Sequence, residues 1–194
     1  MIVGVLGLQG AVREHIRSLE RLDVTARPVK RTSDLDGLDG LVLPGGESST
    51  MALLGGSGIF DRLRELVKEG LPMFGTCAGM ILLAAEAEGR REPGLDAIDM
   101  AVARNASGRQ VDSFETTLAV DGIGEDVPAV FIRAPYVTRV GVGVVPMASH
   151  DGFVVMARQN GILVASFHPE LTEDLRVHRY FIEEMAHRGK EKSR

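Results

Sequence analysis

Residues 73–87, MFGTCAGMILLAAEA, hold the turn on which the architecture hinges. Met73-Phe74 reads as a short buried strand and Met80–Ala87 as an apolar, helix-prone run. Gly75-Thr76-Cys77-Ala78-Gly79 must then turn a strand directly into a helix. The spacing is that of a G-x-S-x-G elbow with cysteine at the nucleophile position. A residue on the point of such a turn has a strained backbone, and side chains two residues to either side would collide, so both flanking positions need glycine. The elbow also sets the sulfur near a helix N-terminus, whose partial positive charge favours thiolate. A free cysteine is otherwise usually a small buried hydrophobe, and that reading stands beside the nucleophilic one until a base is found.

Working outward, the first half repeats the same alternation. Ile2–Leu6 suits a buried strand, and Val12, Ile16 and Leu19 then recur at helical spacing among Arg13, Glu14, Arg17 and Glu20. Val24–Val29 and Leu41-Val42-Leu43 read as strands, the latter stopped by Pro44-Gly45-Gly46. Ile59, Phe60, Leu63, Leu66 and Val67 form a second helical stripe, and Gly55-Gly56-Ser57-Gly58 ahead of it argues against one helix from Ser49 to Glu69. This β-α-β-β-α-β-α order predicts an α/β protein with a mainly parallel central sheet and helices on both faces. The second half carries strand signals at Val111–Val120, Ala129–Ile132, Val142–Met147, Phe153–Gln159 and Ile162–Phe167. Arg90–Asp99 reads as a surface loop. A closing helix is expected from about Glu173 to about Arg188, with Leu175, Phe181, Ile182 and Met185 on its apolar face. A single domain over 1–188 with a polar tail, 189–194, is the expected organisation.

Composition removes several classes. The 194 residues carry 22 Lys and Arg against 27 Asp and Glu, a net charge of −5 with no long basic run, which disfavours nucleic acid and anionic membrane as partners. One cysteine allows no intrachain disulfide and fits a reducing compartment. No run reaches the roughly 18 apolar residues of a membrane span. MIVGVLGLQG reads as a strand and turn, not a signal peptide, so a cytoplasmic protein is expected.

Two further motifs bear on Cys77. Phe167-His168-Pro169-Glu170 follows a strand, and residues two apart in extended backbone point to one side. Glu170 there could orient the His168 imidazole while the imidazole takes a thiol proton. A metal pair is the other reading, with no second cysteine or well-spaced histidine to complete it. His15, His150, His178 and His187 are expected on solvated faces. Leu43-Pro44-Gly45-Gly46-Glu47-Ser48 also follows a strand, and paired glycines let backbone N–H groups face a cleft. They could cradle a phosphate, form an oxyanion hole or make an ordinary turn; no P-loop Lys-Ser/Thr follows. Gly4, Gly7 and Gly10 lack dinucleotide-binding spacing.

Together, G-T-C-A-G at 75–79, P-G-G-E at 44–47 and H-P-E at 168–170 resemble the class I, triad-type glutamine amidotransferases, a flavodoxin-like fold. Further strings resemble one branch, the glutaminase subunits of pyridoxal 5′-phosphate synthase. These are Gly7-Leu8-Gln9-Gly10-Ala11 with Glu14-His15, Arg104-Asn105, Gly108-Arg109-Gln110, Ser113-Phe114-Glu115, Phe131–Pro135 and Ser166–Glu173.

The resemblance implies that Cys77 attacks the glutamine amide, that His168 oriented by Glu170 moves the protons, and that N–H groups of Gly46 and Ala78 bind the oxyanion. It places Gly46, Glu47, Ser48, Arg104, Ile132 and Arg133 around glutamine. An arginine suits the α-carboxylate and Glu47 the α-ammonium. It implies no resident cofactor and no metal, with pyridoxal phosphate as a product of the complex. The ammonia would pass to a (β/α)-barrel synthase subunit, with Gln9 on the docking face. Competing readings are another triad glutaminase, such as that of imidazole glycerol phosphate synthesis, a γ-glutamyl peptide hydrolase, and a silent regulatory subunit.

Overall fold

The computed structural model describes residues 1–90, 94–103 and 113–186, with residues 48, 49, 52–57, 185 and 186 described in backbone only. In chain order the elements begin β1 (Ile2–Leu6), α1 (Val12–Glu20), β2 (Thr25–Val29), β3 (Gly40–Leu43), α2 (Ser48–Glu69), β4 (Met73–Thr76) and α3 (Ala78–Leu83). There follow β5 (Ala84–Ala87), β6 (Ile98–Ala103), β7 (Phe114–Val120), β8 (Gly124–Phe131), β9 (Tyr136–Val140), β10 (Val145–His150), β11 (Phe153–Gln159), β12 (Ile162–Ala165) and α4 (Arg176–Tyr180).

A seven-stranded sheet, β10-β11-β12-β4-β3-β1-β2, forms the centre. From β12 to β2 every pairing is parallel, and β10 and β11 close one edge antiparallel. Side chains alternate across it with the strand period of two. Leu41, Leu43, Ile162 and Val164 face one side, packed against Met51, Ile59, Phe60 and Leu63 of α2 and Met80 and Leu83 of α3. Val42, Leu163 and Ala165 face the other, under Leu19 of α1, Val177 of α4, Phe181, and the β7–β8 hairpin. The expected parallel sheet with helices on both faces is the observed one. Each fully buried Leu or Phe here contributes about 1.5–3 kcal/mol relative to leaving it exposed.

Several local expectations are corrected. The glycine-rich stretch does not break the helix: α2 runs as one element to Gly70, whose φ of 83° ends it. The helix-prone run Met80–Ala87 splits at Ala84. Carbonyls of Leu82 and Leu83 accept N–H groups of Leu95 and Ala97, and the Arg90 guanidinium donates to those of Ile81, Ala84 and Ala85. Residues 84–87 then pair with β6, so long-range pairing overrides helix propensity. Within Arg90–Asp99, read as a loop, Ile98 and Asp99 are strand; residues 91–93 lie outside the described residues.

β9 gave no signal that was read as a strand. The strand expected over Val142–Met147 begins at Val145 and runs to His150, with Val142 in the turn before it. The strands expected at Ala129–Ile132 and Val111–Val120 are β8 and β7; residues 111 and 112 lie outside the described residues. The closing helix starts at Arg176, three residues later than expected, and continues from Phe181 to Ala186 with π-type turns. Residues 187 and 188, and the tail 189–194, lie outside the described residues.

Candidate active site

Three adjacent parallel strands, β12, β4 and β3, end on the same edge of the sheet, and each feeds one motif. The carboxyl ends of parallel strands are where open α/β sheets bind ligands. Cys77 follows β4 at φ 46°, ψ −101°, a sparsely populated region that costs about 1–3 kcal/mol for a residue with a side chain. Its N–H donates to the Ala165 carbonyl at 2.8 Å, and its carbonyl accepts from Ile81 at 3.3 Å to start α3. A Cβ on Gly75 would lie 2.6 Å from the Gly79 carbonyl carbon, and one on Gly79 would overlap the Leu43 carbonyl oxygen. Both glycines are therefore demanded by backbone packing.

His168 follows β12. Its N–H donates to the Val130 carbonyl at 2.8 Å, which joins it to β8. Its Nδ1 lies 2.8 Å from Oε1 of Glu170, both residues about nineteen-twentieths buried. An ionised carboxylate only accepts, so Nδ1 carries the proton and Nε2 is left for the Cys77 sulfur, with which the ring also interacts. Burial works against a charged His168, but the hydrogen bonds to Cys77 and Glu170 outweigh it and raise its pKa to about 10. Burial likewise opposes ionisation of Glu170, and His15 and His168 outweigh it to hold the carboxyl below its ordinary value. Cys77 as a whole residue is 7% exposed, and its sulfur also lies 3.9 Å from the Ile132 carbonyl oxygen.

The Gly45-Gly46 loop closes the third side. A Cβ on Gly45 would overlap the His168 imidazole, so glycine lets the backbone lie against the ring. Gly10, at φ 101°, performs the same service for β1: a Cβ there would overlap the Gly45 carbonyl oxygen, which accepts instead from the Ala11 N–H at 3.2 Å. The Gln9 side-chain oxygen accepts the Glu47 N–H at 2.6 Å, so Gln9 pins this loop. Gly46 is exposed, and Ala78 is buried as the first residue of α3, where a helical N–H has no intrahelical acceptor.

Glu47 stands at the residue just before α2, exposed and with no side-chain hydrogen bond to the helix backbone, its carboxylate accepting instead the Thr50 hydroxyl at 3.0 Å. Ile132 and Arg133 are exposed beside the thiol, Arg133 at φ 45°. Ser48 begins α2, its side chain outside the description, and Arg104 lies outside the described residues with 105–112.

Two histidines expected on solvated faces lie in the core. His15 and His178 are fully buried behind Glu170 rather than solvated. His150 is half-buried and stacks on Phe114, and His187 lies outside the described residues. A signal was present: His15 stands three after Val12 and four before Leu19, and His178 three before Phe181, on the apolar stripes of their helices.

The fold and this geometry define a class: proteins that transfer an acyl group through a cysteine, with imidazole and carboxylate behind it, on a doubly wound sheet. The chain belongs to the SNO glutamine amidotransferase family, whose model matches residues 5–187. It is 52% identical over 187 residues to the pyridoxal 5′-phosphate synthase subunit PdxT of Carboxydothermus hydrogenoformans, covering 95% of this chain and 98% of that one. The PdxT of Corynebacterium jeikeium is 54% identical over 195 residues, with 98% and 100% covered. A crystal structure of a glutamine amidotransferase superposes with a TM-score of 0.91 at 49% identity, covering 96% of this chain and all of that one. PurLQS of Thermotoga maritima shares the fold alone, with a TM-score of 0.68 at 15% identity over 94% of this chain and 97% of the other.

Proposed function

We propose that this chain is the glutaminase subunit of a pyridoxal 5′-phosphate synthase. It hydrolyses L-glutamine to L-glutamate and ammonia, and delivers the ammonia to the synthase subunit. The single observation that carries this reading is the end-to-end identity of about half with PdxT subunits, with Cys77, His168 and Glu170 meeting at one sheet edge.

The chemistry follows from the arrangement. Glutamine binds with its side-chain carbonyl against the Gly46 and Ala78 N–H groups and its α-ammonium toward Glu47. An arginine, Arg104 or Arg133, takes the α-carboxylate beside Ile132 and Ser48. The Cys77 sulfur, its proton held on His168, adds to the amide carbon, and negative charge develops on the oxygen facing the two N–H groups. His168 gives its proton to the amide nitrogen, the C–N bond breaks, ammonia leaves and a γ-glutamyl thioester remains. Water then attacks the thioester while His168 takes its proton, and glutamate is released with the thiol restored.

Ammonia freed into water would be protonated and useless as a nucleophile, which calls for a receiving partner. A (β/α)-barrel synthase subunit docked over the edge bearing Gln9, Gly46 and Cys77 fills that role. A working free thiol suits a reducing, cytoplasmic setting. Residues 1–188 are read as one domain, since both apolar layers share the same sheet.

The test is glutamate release from glutamine by the chain alone and with its synthase partner, with Cys77→Ala as control. Release that rises with partner and vanishes in the variant is the expected result. Absence of Cys77-dependent release in a verified complex would leave a silent regulatory subunit instead.

A further inference from the structure

A buried polar chain continues behind Glu170, where the reaction as derived above needs nothing. Glu170 uses Oε1 for His168, and its Oε2 is buried with no hydrogen-bond partner meeting ordinary geometry. Facing that oxygen at 3.5 Å is Nε2 of His15. The same nitrogen lies 3.1 Å from the hydroxyl oxygen of Thr76, the residue just before the nucleophile. On its other side Nδ1 of His15 lies 2.9 Å from Nε2 of His178, whose own Nδ1 is buried without a partner. Phe74 meets both rings edge-on.

Proton counting decides how this chain is ordered. A neutral imidazole has one N–H and one lone pair. One arrangement puts the His178 proton on Nε2, donating to His15 Nδ1, and the His15 proton on Nε2, aimed at Thr76 and Glu170. It leaves only a bare lone pair at His178 Nδ1. The reverse arrangement turns a lone pair toward the carboxylate and strands a buried N–H donor at His178, which is the costlier defect. Burial works against the charged form of both rings: it lowers the pKa of His15, with Glu170 pulling the other way, and pushes that of His178 down to about 3.

We propose that His15 is a second positioning residue of this site: its Nε2–H holds the free oxygen of Glu170 and ties it to the nucleophile strand, while His178 fixes the tautomer that makes His15 a donor. Glu170 is thereby clamped from both sides, by His168 at one oxygen and His15 at the other. The carboxylate then cannot rotate away as His168 cycles between charged and neutral. The charged and titratable groups around it are His168 and Cys77 from the strand ends, His15 and Glu14 from α1, and His178 from α4.

This inference rests on the glutaminase reading, and its test separates the two. His15→Leu removes the donor and keeps apolar bulk, and His15→Gln restores an N–H at nearly the same place. In the complex with the synthase, His15→Leu is expected to lower kcat about tenfold or more, the scale on which outer partners orient a site residue, with KM for glutamine little changed. It should also move the acid limb of the pH–rate profile to higher pH, because the ionised form of Glu170 has lost the N–H donor facing its second oxygen. His15→Gln should recover part of kcat and return the limb. Equal losses in both variants with an unmoved limb would mean packing alone and overturn the proposal, as would wild-type rates in His15→Leu.

A measurement that reads the wild-type ring itself rather than a variant's rate is the ring 15N spectrum, with His15 assigned by its loss in His15→Gln. A neutral, Nε2-protonated His15 is expected, and an Nδ1-protonated ring would overturn the proposal. Lack of any Cys77-dependent hydrolysis in wild type would instead strike the glutaminase reading.

Discussion

Cys77 leaves β4 and His168 leaves β12, neighbouring parallel strands in which Gly75 pairs with Val164 and Thr76 with Ala165. The two ends nevertheless hold their side chains by different physics. At the elbow the constraint is steric: a positive φ at Cys77, and glycines at 75 and 79 where any Cβ would meet backbone. At the β12 end it is electrostatic: an imidazole and a carboxylate, buried together and backed by two buried histidines from α1 and α4. Backbone sterics place one atom rigidly with a short string of sequence. A polar network places a charge, and needs residues drawn from across the chain to satisfy it.

The comparison can be broken most forcefully at its electrostatic side. Glu170→Gln keeps the size of the side chain but removes the charge that fixes His168 Nδ1–H, and kcat for glutamine hydrolysis should fall on the order of 10³–10⁴-fold. Thermal unfolding of the same variant checks that the protein is still folded. Next in size is Gly45→Ala, where the new Cβ would overlap the imidazole. The ring must shift, and a displacement of about 1 Å at a reacting group costs on the order of 10²-fold in rate. Its kcat should drop while the circular dichroism spectrum stays that of wild type.

A third measurement is unfolding free energy against pH, by denaturant titration. His178 and His15 have folded pKa values below the ordinary 6.5, so the unfolded chain takes up more protons in acid. Stability should fall as pH drops from about 6.5 toward the folded value of about 3 for His178. His168 has the opposite sign: raised to about 10, its contribution is fully present below 6.5 and is lost as pH climbs through 10. Maximum stability is therefore expected near pH 6–7, with the fall just below 6.5 made shallower in a variant lacking both His15 and His178, while the lowered carboxyl of Glu170 still costs stability at more acid pH. The smallest effect probes the steric side alone. Cys77→Ala and Cys77→Gly both lose the sulfur, and only glycine relieves the strained φ, at the cost of a more flexible unfolded chain; the glycine variant is expected to be about 1 kcal/mol more stable than the alanine one in the same titration.

These two ways of holding a side chain also explain what was legible beforehand. The meeting of Cys77, His168 and Glu170 was readable because G-T-C-A-G and H-P-E are contiguous strings at strand ends. The parallel strands of the centre were readable because apolar runs bounded by glycine or proline are a local pattern. His15 and His178 were misread as solvated although both lie on apolar helical stripes, because a titratable side chain is assigned to water unless a partner is in view. Their partners are each other, 163 positions apart. The segment over 84–103 was misread for a related reason. Ala84–Ala87 favours helix by composition, and only pairing of Glu86 with Ala101, together with Arg90 on the α3 carbonyls, makes it a strand.

What the sequence determined by itself is therefore whatever short-range sterics and periodicity govern: the elbow and its glycines, the alternation of strand and helix, and the strand ends that carry Cys77, His168 and Glu170. The tertiary structure alone decided which polar groups lose their water, and so which histidines are buried and what stands behind Glu170. Backbone clashes act between residues a few positions apart and are written in adjacent letters. Desolvation and charge pairing act between atoms close in space, and the chain brings those together only when it folds.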